Sequence, residues 1–300
     1  MRWVFLGQGV LGAAALEALL TTVTPAAVLT MPWPGGVSPI TTLARARGVP
    51  VRTLERLGEE PDRRWPELAG PVDAGVVGCW PERLTDSALA VPRHGWLNLH
   101  PSALPAWRGA DPVGWQLLTG ARRLGLTVHR MVARQDAGPI VARDAVALDE
   151  GDDRAEAERR AGAALGALAG QVLARLASDD ELGGEPQDED AASWCPPVGT
   201  AVLLETRAMR AGAAARVVRA FSPQPGVAVA GLPTDQRVCE PAVGERLDAG
   251  TSPGEHRPLD ARRVALACQD RWLAVRLLTP GPPPAVTELT PPGATRLPRG

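Results

Sequence analysis

Residues 2–20 read RWVFLGQGVLGAAALEALL, and this stretch decides the fold of the first half of the chain. A short apolar run is followed by Gly7, Gly9 and Gly12 and then by a segment rich in Ala and Leu. This order is typical of a buried strand that turns tightly into a helix, as at the start of a βαβ unit. The spacing G-x-G-x-x-G also suits a dinucleotide, whose pyrophosphate can bind the open N–H groups at the start of the helix.

A dinucleotide site needs an acidic residue roughly 20 positions further on, where it holds the ribose hydroxyls. The corresponding stretch, residues 26–36, reads AAVLTMPWPGG, and no Asp or Glu occurs between Glu17 and Glu55. We therefore predict that the glycines form a tight turn that packs the helix against the sheet. No NAD is implied.

Apolar runs alternate with helical patterns along the following residues, which predicts parallel strands joined by helices. The predicted strands cover 3–6, 26–30, 74–77 and 96–100, with further extended segments at 126–132 and 140–148. The predicted helices cover 11–20, 40–47 and 154–177. Together these elements indicate an α/β domain built on a mostly parallel sheet.

The composition changes at residues 179–199, which are acidic and rich in Pro and Gly. Such a segment is typical of an exposed linker. It would separate a first domain, residues 1–178, from a second domain, residues 200–300. After a predicted helix at 208–221, the second domain breaks into short segments between turn signals, which favours a small β-rich domain.

The overall composition argues against several classes of protein. The chain has 32 basic and 34 acidic residues and a net charge of −2, so no strong field attracts nucleic acid or an anionic membrane. Its four cysteines lie far apart without a C-x-x-C pair, so we predict neither a metal site nor a disulfide framework. We expect no export signal and no membrane span, and hence a reducing, cytoplasmic setting.

The most informative stretch is WLNLHPSALPAWRGADPVGW, residues 96–115. In a strand from Trp96 to His100, the period of two places Asn98 and His100 on one face and two leucines on the other. Both polar side chains then point the same way near a strand end, where α/β sheets bind ligands. Taken alone, such a histidine is more often structural than catalytic.

Together with LTVHRMVARQDAGPI, residues 126–140, this stretch resembles the 10-formyltetrahydrofolate-dependent formyltransferases. That family includes methionyl-tRNA formyltransferase, sugar-nucleotide N-formyltransferases and glycinamide ribonucleotide formyltransferase. Residues 2–20 are similar to its first strand and helix, and residues 185–197 and 217–226 are similar to the linker and C-terminal domain of its tRNA-type members. The resemblance implies a Rossmann-like formyltransferase domain followed by a smaller, OB-like barrel.

The resemblance implies three catalytic residues, Asn98, His100 and Asp136. The first two would donate hydrogen bonds to the formyl oxygen as negative charge develops on it. Asp136 would orient His100 and share in removing the proton of the attacking amine. Without the resemblance, an Asp ahead of Gly138 is more typical of a turn. The remaining histidines have no matched role and are interpreted as structural: His94, His129 and His256.

The implied cosubstrate is 10-formyltetrahydrofolate. In the family, backbone groups of two loops hold the pterin, and a serine belongs to the central signature. The corresponding residues here are Gly78, Cys79, Trp80, Leu84, Ser102, Gln135 and Gly138.

The acceptor of the formyl group is harder to predict. The tRNA-type members carry a Lys-rich insertion after the second strand, where this chain has the uncharged MPWPGGVSPI, residues 31–40. Acidic residues also offset the arginines beyond residue 200. We therefore predict that the acceptor is the amine of a small metabolite or a carrier-bound amino acid, in specialised (natural product) metabolism.

Methionyl-tRNA is the alternative acceptor. A formyltetrahydrofolate hydrolase, in which water replaces the amine, and a catalytically silent folate-binding protein are further alternatives. A homodimer is compatible with the sequence.

Overall fold

The computed structural model describes residues 1–33, 37–54, 70–179, 182–197, 202–223, 225–233 and 235–278. The strands of the first half are β1 (Trp3–Gly7), β2 (Ala27–Thr30), β3 (Val51–Thr53), β4 (Ala74–Gly78), β5 (Trp96–His100), β6 (Arg108–Gly109), β7 (Arg123–Arg130) and β8 (Ile140–Ala147). Seven of them form one sheet in the order β3-β2-β1-β4-β5-β7-β8. β1 to β5 run parallel, whereas β7 and β8 are antiparallel to their neighbours. The predicted α/β fold with a mostly parallel sheet is confirmed.

The centre of this sheet is buried on both faces. In β1, Trp3 and Phe5 join one apolar cluster, whereas Val4 and Leu6 join the cluster on the opposite face. A strand covered on both faces has no polar side, which is why β1 is an unbroken apolar run in the sequence.

Within the described part of the chain, five helices accompany the sheet: α1 (Gly9–Leu19), α2 (Pro39–Ala46), α3 (Asp86–Leu89), α4 (Pro112–Thr119) and α5 (Arg154–Asp179). α4 was not predicted from the sequence, although its first residue is a proline and the preceding Asp111 accepts a hydrogen bond from Gly114 N at 3.1 Å. Both features are typical of a helix start.

Among the described residues, one helix, within α5, is long and apolar enough to cross a membrane by length and composition alone, so the expectation of no membrane span stays a prediction. Half of it is buried, and it packs on α1. A Cβ added at Gly162 would lie 2.3 Å from Leu11 O, and one at Gly166 would lie 2.3 Å from Ala15 O. The two helix backbones therefore touch, as in the core of a globular domain.

The glycine turn, residues 7–12, joins β1 to α1. A Cβ added at Gly12 would lie 2.5 Å from Gly78 O, and Gln8 N donates a hydrogen bond to the same oxygen at 3.2 Å. The missing side chain thus lets α1 approach the end of β4. This geometry agrees with the prediction that the glycines serve close packing.

The C-terminal part contains α6 (Ala211–Ala220) and the strands β10 (Leu203–Leu204), β11 (Val227–Val229), β12 (Arg237–Arg246), β13 (His256–Pro258), β14 (Arg263–Ala267) and β15 (Arg271–Leu278). These strands form a six-stranded sheet in the order β10-β11-β12-β15-β14-β13. The predicted β-rich domain is confirmed. An OB-like barrel is not confirmed, because the two edge strands, β10 and β13, do not pair with each other within the described residues. α6 packs against α4, so the two parts share one apolar core.

Residues 182–197, here called the connecting segment, lie within the predicted linker. Most of them are exposed, as expected. However, β9 (Trp194–Cys195) pairs with β6, and Glu185 forms a bridge to Ile140. The segment is therefore docked along the first domain. The domain boundaries themselves stay a prediction.

Candidate functional site

The site is built on one face of β5. Leu97 and Leu99 point into the core, and Asn98 and His100 point to the opposite face, as the period of two predicts. His100 is buried, and its Nε2 donates a hydrogen bond to the carbonyl oxygen of Trp107 at 2.9 Å. Because that carbonyl can only accept, Nε2 carries the hydrogen. The other ring nitrogen, Nδ1, is left to face the site.

Asp136 lies on the loop of residues 131–139, between β7 and β8, and it meets both β5 side chains. Its Oδ1 lies 3.4 Å from Asn98 Nδ2 and 3.8 Å from His100 Nδ1. Its Oδ2 accepts a hydrogen bond from Gly109 N at 2.8 Å. The structure thus brings together the three residues for which the sequence predicts catalytic roles. The distance from Asp136 to His100 is longer than a hydrogen bond, so the two side chains are neighbours without a direct bond.

His129 is a member of this cluster that sequence reasoning missed. It lies on β7 directly opposite Asn98, and its Nε2 is 3.1 Å from Asn98 Nδ2. Its Nδ1 donates to the carbonyl of Arg130 at 2.9 Å, so Nε2 has a lone pair for the Asn98 amide. This pairing sets the orientation of the amide. The alternation of residues along β7 could have indicated it. Leu124, Leu126 and Val128 form the core face of this strand, so His129 lies on the opposite face, with Asn98.

The pKa of His129 is lowered from 6.5 to about 4, first by burial and then by the nearby His100, while Asp136 acts in the opposite direction. The two imidazole rings meet edge to face, with centroids 6.3 Å apart. His129 is consequently neutral at pH 7 and serves as a hydrogen-bond acceptor for Asn98.

The comparison with known proteins decides the family. A methionyl-tRNA formyltransferase of Aromatoleum aromaticum is 34% identical to this chain over 312 residues, covering 100% of this chain and 92% of that protein. The chain belongs to the formyl transferase family. The family model for formyl transferases matches residues 41–169 of this chain. Members of this family transfer formyl groups, so the prediction of an enzyme is confirmed.

Two further comparisons extend the match. A methionyl-tRNA formyltransferase of Burkholderia multivorans is 32% identical over 315 residues, with 99% of this chain and 92% of that protein covered. The solved N-formyltransferase from Helicobacter canadensis, in complex with folinic acid and dTDP-3-aminofucose, has a TM-score of 0.63. It is 13% identical and covers 92% of this chain and 98% of its own, so this likeness concerns the fold.

The residues that the formyl transferase resemblance assigns to the cosubstrate fall into two described loops. Gly78 ends β4, Cys79 follows with a φ of 59°, and Leu84 is buried nearby. The Trp80 Nε1 is buried and has no hydrogen-bond partner among the described residues. This loop therefore holds a donor that a ligand can satisfy.

The second loop carries Gln135, which is exposed, and Gly138. A Cβ added at Gly138 would lie 1.8 Å from Arg130 O, so only glycine lets the loop fold this tightly. Ser102 stands apart from both loops. Its hydroxyl is fully buried and donates to Ala106 O at 2.7 Å, which fixes the loop after β5 from within. Within the described residues, no group of three or more His, Cys, Asp or Glu could hold a metal ion.

Proposed function

We propose that this chain transfers the formyl group of 10-formyltetrahydrofolate to the amino group of methionyl-tRNA. The observation that carries the proposal is the convergence of Asn98, His100 and Asp136 on one point, in a chain similar over its full length to methionyl-tRNA formyltransferases. The formyl donor is supported by the folinic acid, a formylated tetrahydrofolate, in the Helicobacter canadensis neighbour.

The reaction needs groups that act on the formyl oxygen and on the amine. The amine nitrogen attacks the formyl carbon, a new C–N bond forms, and negative charge develops on the formyl oxygen. The amine then loses a proton, the bond from the formyl carbon to N10 breaks, and N10 leaves with a proton. Preorganised donors to such an oxygen are worth about 3 kcal/mol each in related acyl transfers.

The site offers these groups. One N–H of Asn98 is committed to His129, and the other, on a nitrogen that lies 3.4 Å from Asp136 Oδ1, is the one available to the formyl oxygen. Nδ1 of His100 faces the same space, and its protonated form is a second donor. Asp136, held by Gly109 N, lies 3.8 Å from Nδ1 of His100 and can take the amine proton through the same pair.

A small amine or a carrier-bound amino acid is the second candidate acceptor, and the charge distribution favours it. In the C-terminal part, Arg257, Arg263 and Arg276 are each paired with an acidic residue. Paired arginines contribute less to binding a phosphate backbone. The uncharged stretch at residues 31–40 also favours a small acceptor over tRNA. Residues 34–36 lie outside the described part of the chain.

The experiment that separates the candidates uses 10-formyltetrahydrofolate and charged initiator tRNA at physiological salt. After deacylation, formylmethionine is detected by mass spectrometry. We expect rapid, saturable formation of formylmethionine by the full chain and by the Asp190→Ala variant, whose substitution lies on an exposed position. Asp136→Asn should form it far more slowly.

Other outcomes lead to different conclusions. No formylmethionine, together with formylation of an amine-bearing metabolite, would replace the proposal by the second candidate. Formate release without any added amine would identify a formyltetrahydrofolate hydrolase. A specialised-metabolism role and a cytoplasmic location stay predictions.

A further inference from the structure

A fully buried charge lies beside the proposed catalytic site. The Arg108 side chain is 0% exposed, and a charge in such a place is costly unless it is paired and hydrogen-bonded. Gln187 Oε1 accepts from Arg108 Nε at 3.1 Å and from Nη2 at 2.8 Å. Glu189 accepts from Nη1 at 3.0 Å and from Nη2 at 2.9 Å. Both partners belong to the connecting segment, which thus neutralises the buried guanidinium.

Gln187 also binds the loop that carries Asp136. Its Nε2 donates to Asp136 O at 2.7 Å and to Gly138 O at 2.8 Å. The orientation of the amide is fixed, since a guanidinium has only donors and a backbone carbonyl only accepts. One side chain therefore links Arg108 to the peptide of the proposed catalytic aspartate.

The conformation of Asp136 requires such support. Its φ is 51°, in the left-handed region that residues with a side chain rarely adopt. Two anchors hold it there, because Gln187 binds its carbonyl and Gly109 N binds its carboxylate at 2.8 Å. Gly109 follows Arg108 directly, so both anchors depend on the position of Arg108.

Glu189 connects Arg108 to the loop that carries Asp136. Besides Arg108, it pairs with Arg134 on the Asp136 loop at 2.8 Å. The hydrogen bond from Arg108 lowers the pKa of Glu189, so its charge persists well below neutral pH. The connecting segment is thereby tied to both sides of Asp136.

We propose that Gln187 and Glu189 are positioning residues for formyl transfer, which hold Asp136 in its working place through Arg108 and the backbone of the 131–139 loop. This inference rests on the proposed catalytic role of Asp136. It gives the connecting segment a part in the chemistry, beyond that of a link between two domains.

The test uses the full chain, 10-formyltetrahydrofolate and methionyl-tRNA. Gln187→Glu keeps the shape of the side chain and an acceptor for Arg108, but it replaces the N–H donors with an oxygen against two carbonyls. The matched control is Asp190→Ala in the same segment. Both substitutions are measured in the wild-type and in the Asp136→Asn background, and thermal unfolding confirms that each variant is folded.

We expect Gln187→Glu to lower kcat about tenfold with KM for the tRNA little changed, since small displacements of a catalytic group are costly. In the Asp136→Asn background the same substitution should lower kcat less than about twofold, because the group it positions is already disabled. Asp190→Ala should change neither value.

An unchanged kcat, or equal losses in both backgrounds, would overturn the positioning role. Glu189→Gln, measured in the same two backgrounds, decides the question if Gln187→Glu does not fold. Full activity of Asp136→Asn would instead refute the proposed catalytic role, and the positioning role with it, before Gln187 is considered.

Discussion

The glycine turn at residues 7–12 and the connecting segment at residues 182–197 make an instructive comparison. The first carries a conspicuous sequence pattern, yet its geometry serves the approach of α1 to Gly78. The second has the composition of a linker, yet it supplies Gln187 and Glu189, which accept the hydrogen bonds of the buried Arg108 guanidinium. A recognisable pattern reports local backbone geometry. The side chains that hold a site in place depend on tertiary contacts, which a local pattern does not record.

The largest effect is expected at the site that the connecting segment supports. Asn98→Ala, His100→Ala and Asp136→Ala should each lower turnover by at least about a hundredfold, the scale of a lost oxyanion donor or general base. Steady-state formylation assays measure this, with Asp190→Ala as the control. Near-normal turnover by any one variant would remove that residue from the mechanism and weaken the contrast between the two regions.

The next largest effect concerns the glycine turn and is one of stability. Gly12→Ala places a Cβ 2.5 Å from Gly78 O, a backbone atom that cannot move aside easily. We expect a loss of about 1–3 kcal/mol in the free energy of unfolding, the usual cost of overpacking. Urea unfolding at pH 7 measures it.

The matched control is Gly212→Ala in α6, where an added Cβ has nothing within 4 Å. It should leave stability unchanged or raise it by up to about 1 kcal/mol, because alanine favours a helix over glycine. If both substitutions had the same effect, the glycine turn would have no special packing role.

Much of the first domain was predictable from the sequence because its strands are buried on both faces. β1, β2 and β4 follow apolar runs, β5 alternates apolar residues with Asn98 and His100, and α1 and α5 follow segments rich in Ala and Leu. β6 and β9 were not predicted, since two residues are too few for a period. α4 was missed although Asp111 and Pro112 gave the start signals of a helix.

The site was predictable only in part, for a similar reason. Asn98 and His100 share a strand, so the period of two relates them directly. Asp136 reaches them through a loop, and only the family resemblance indicated it. The contacts of Gln187 with Arg108 span 79 residues, a distance over which the sequence carries no local signal.

A smaller effect should appear in the pH dependence of stability. The pKa of His129 is about 4 in the folded chain and 6.5 in the unfolded chain, so the unfolded state binds more protons between these values. Stability should therefore fall as pH falls from 6.5 towards 4. The groups around the ring are His100, Asp136, Arg108 and the Arg130 carbonyl.

His129→Gln removes the titration while keeping an oxygen for Asn98. Urea unfolding at pH 7 and pH 5 should show that the wild type loses up to about 2 kcal/mol more than the variant on acidification. Equal losses would contradict a neutral, buried His129 and leave the orientation of Asn98 unexplained.

The most direct measurement of the central claim, that this sheet binds a reduced folate and not a dinucleotide, is isothermal titration calorimetry of the full chain. Folinic acid and NAD are titrated separately under the same conditions. We predict that folinic acid binds with a Kd in the micromolar range, about 8 kcal/mol of binding free energy, and that NAD gives no binding heat. Micromolar binding of NAD without binding of folinic acid would contradict the account.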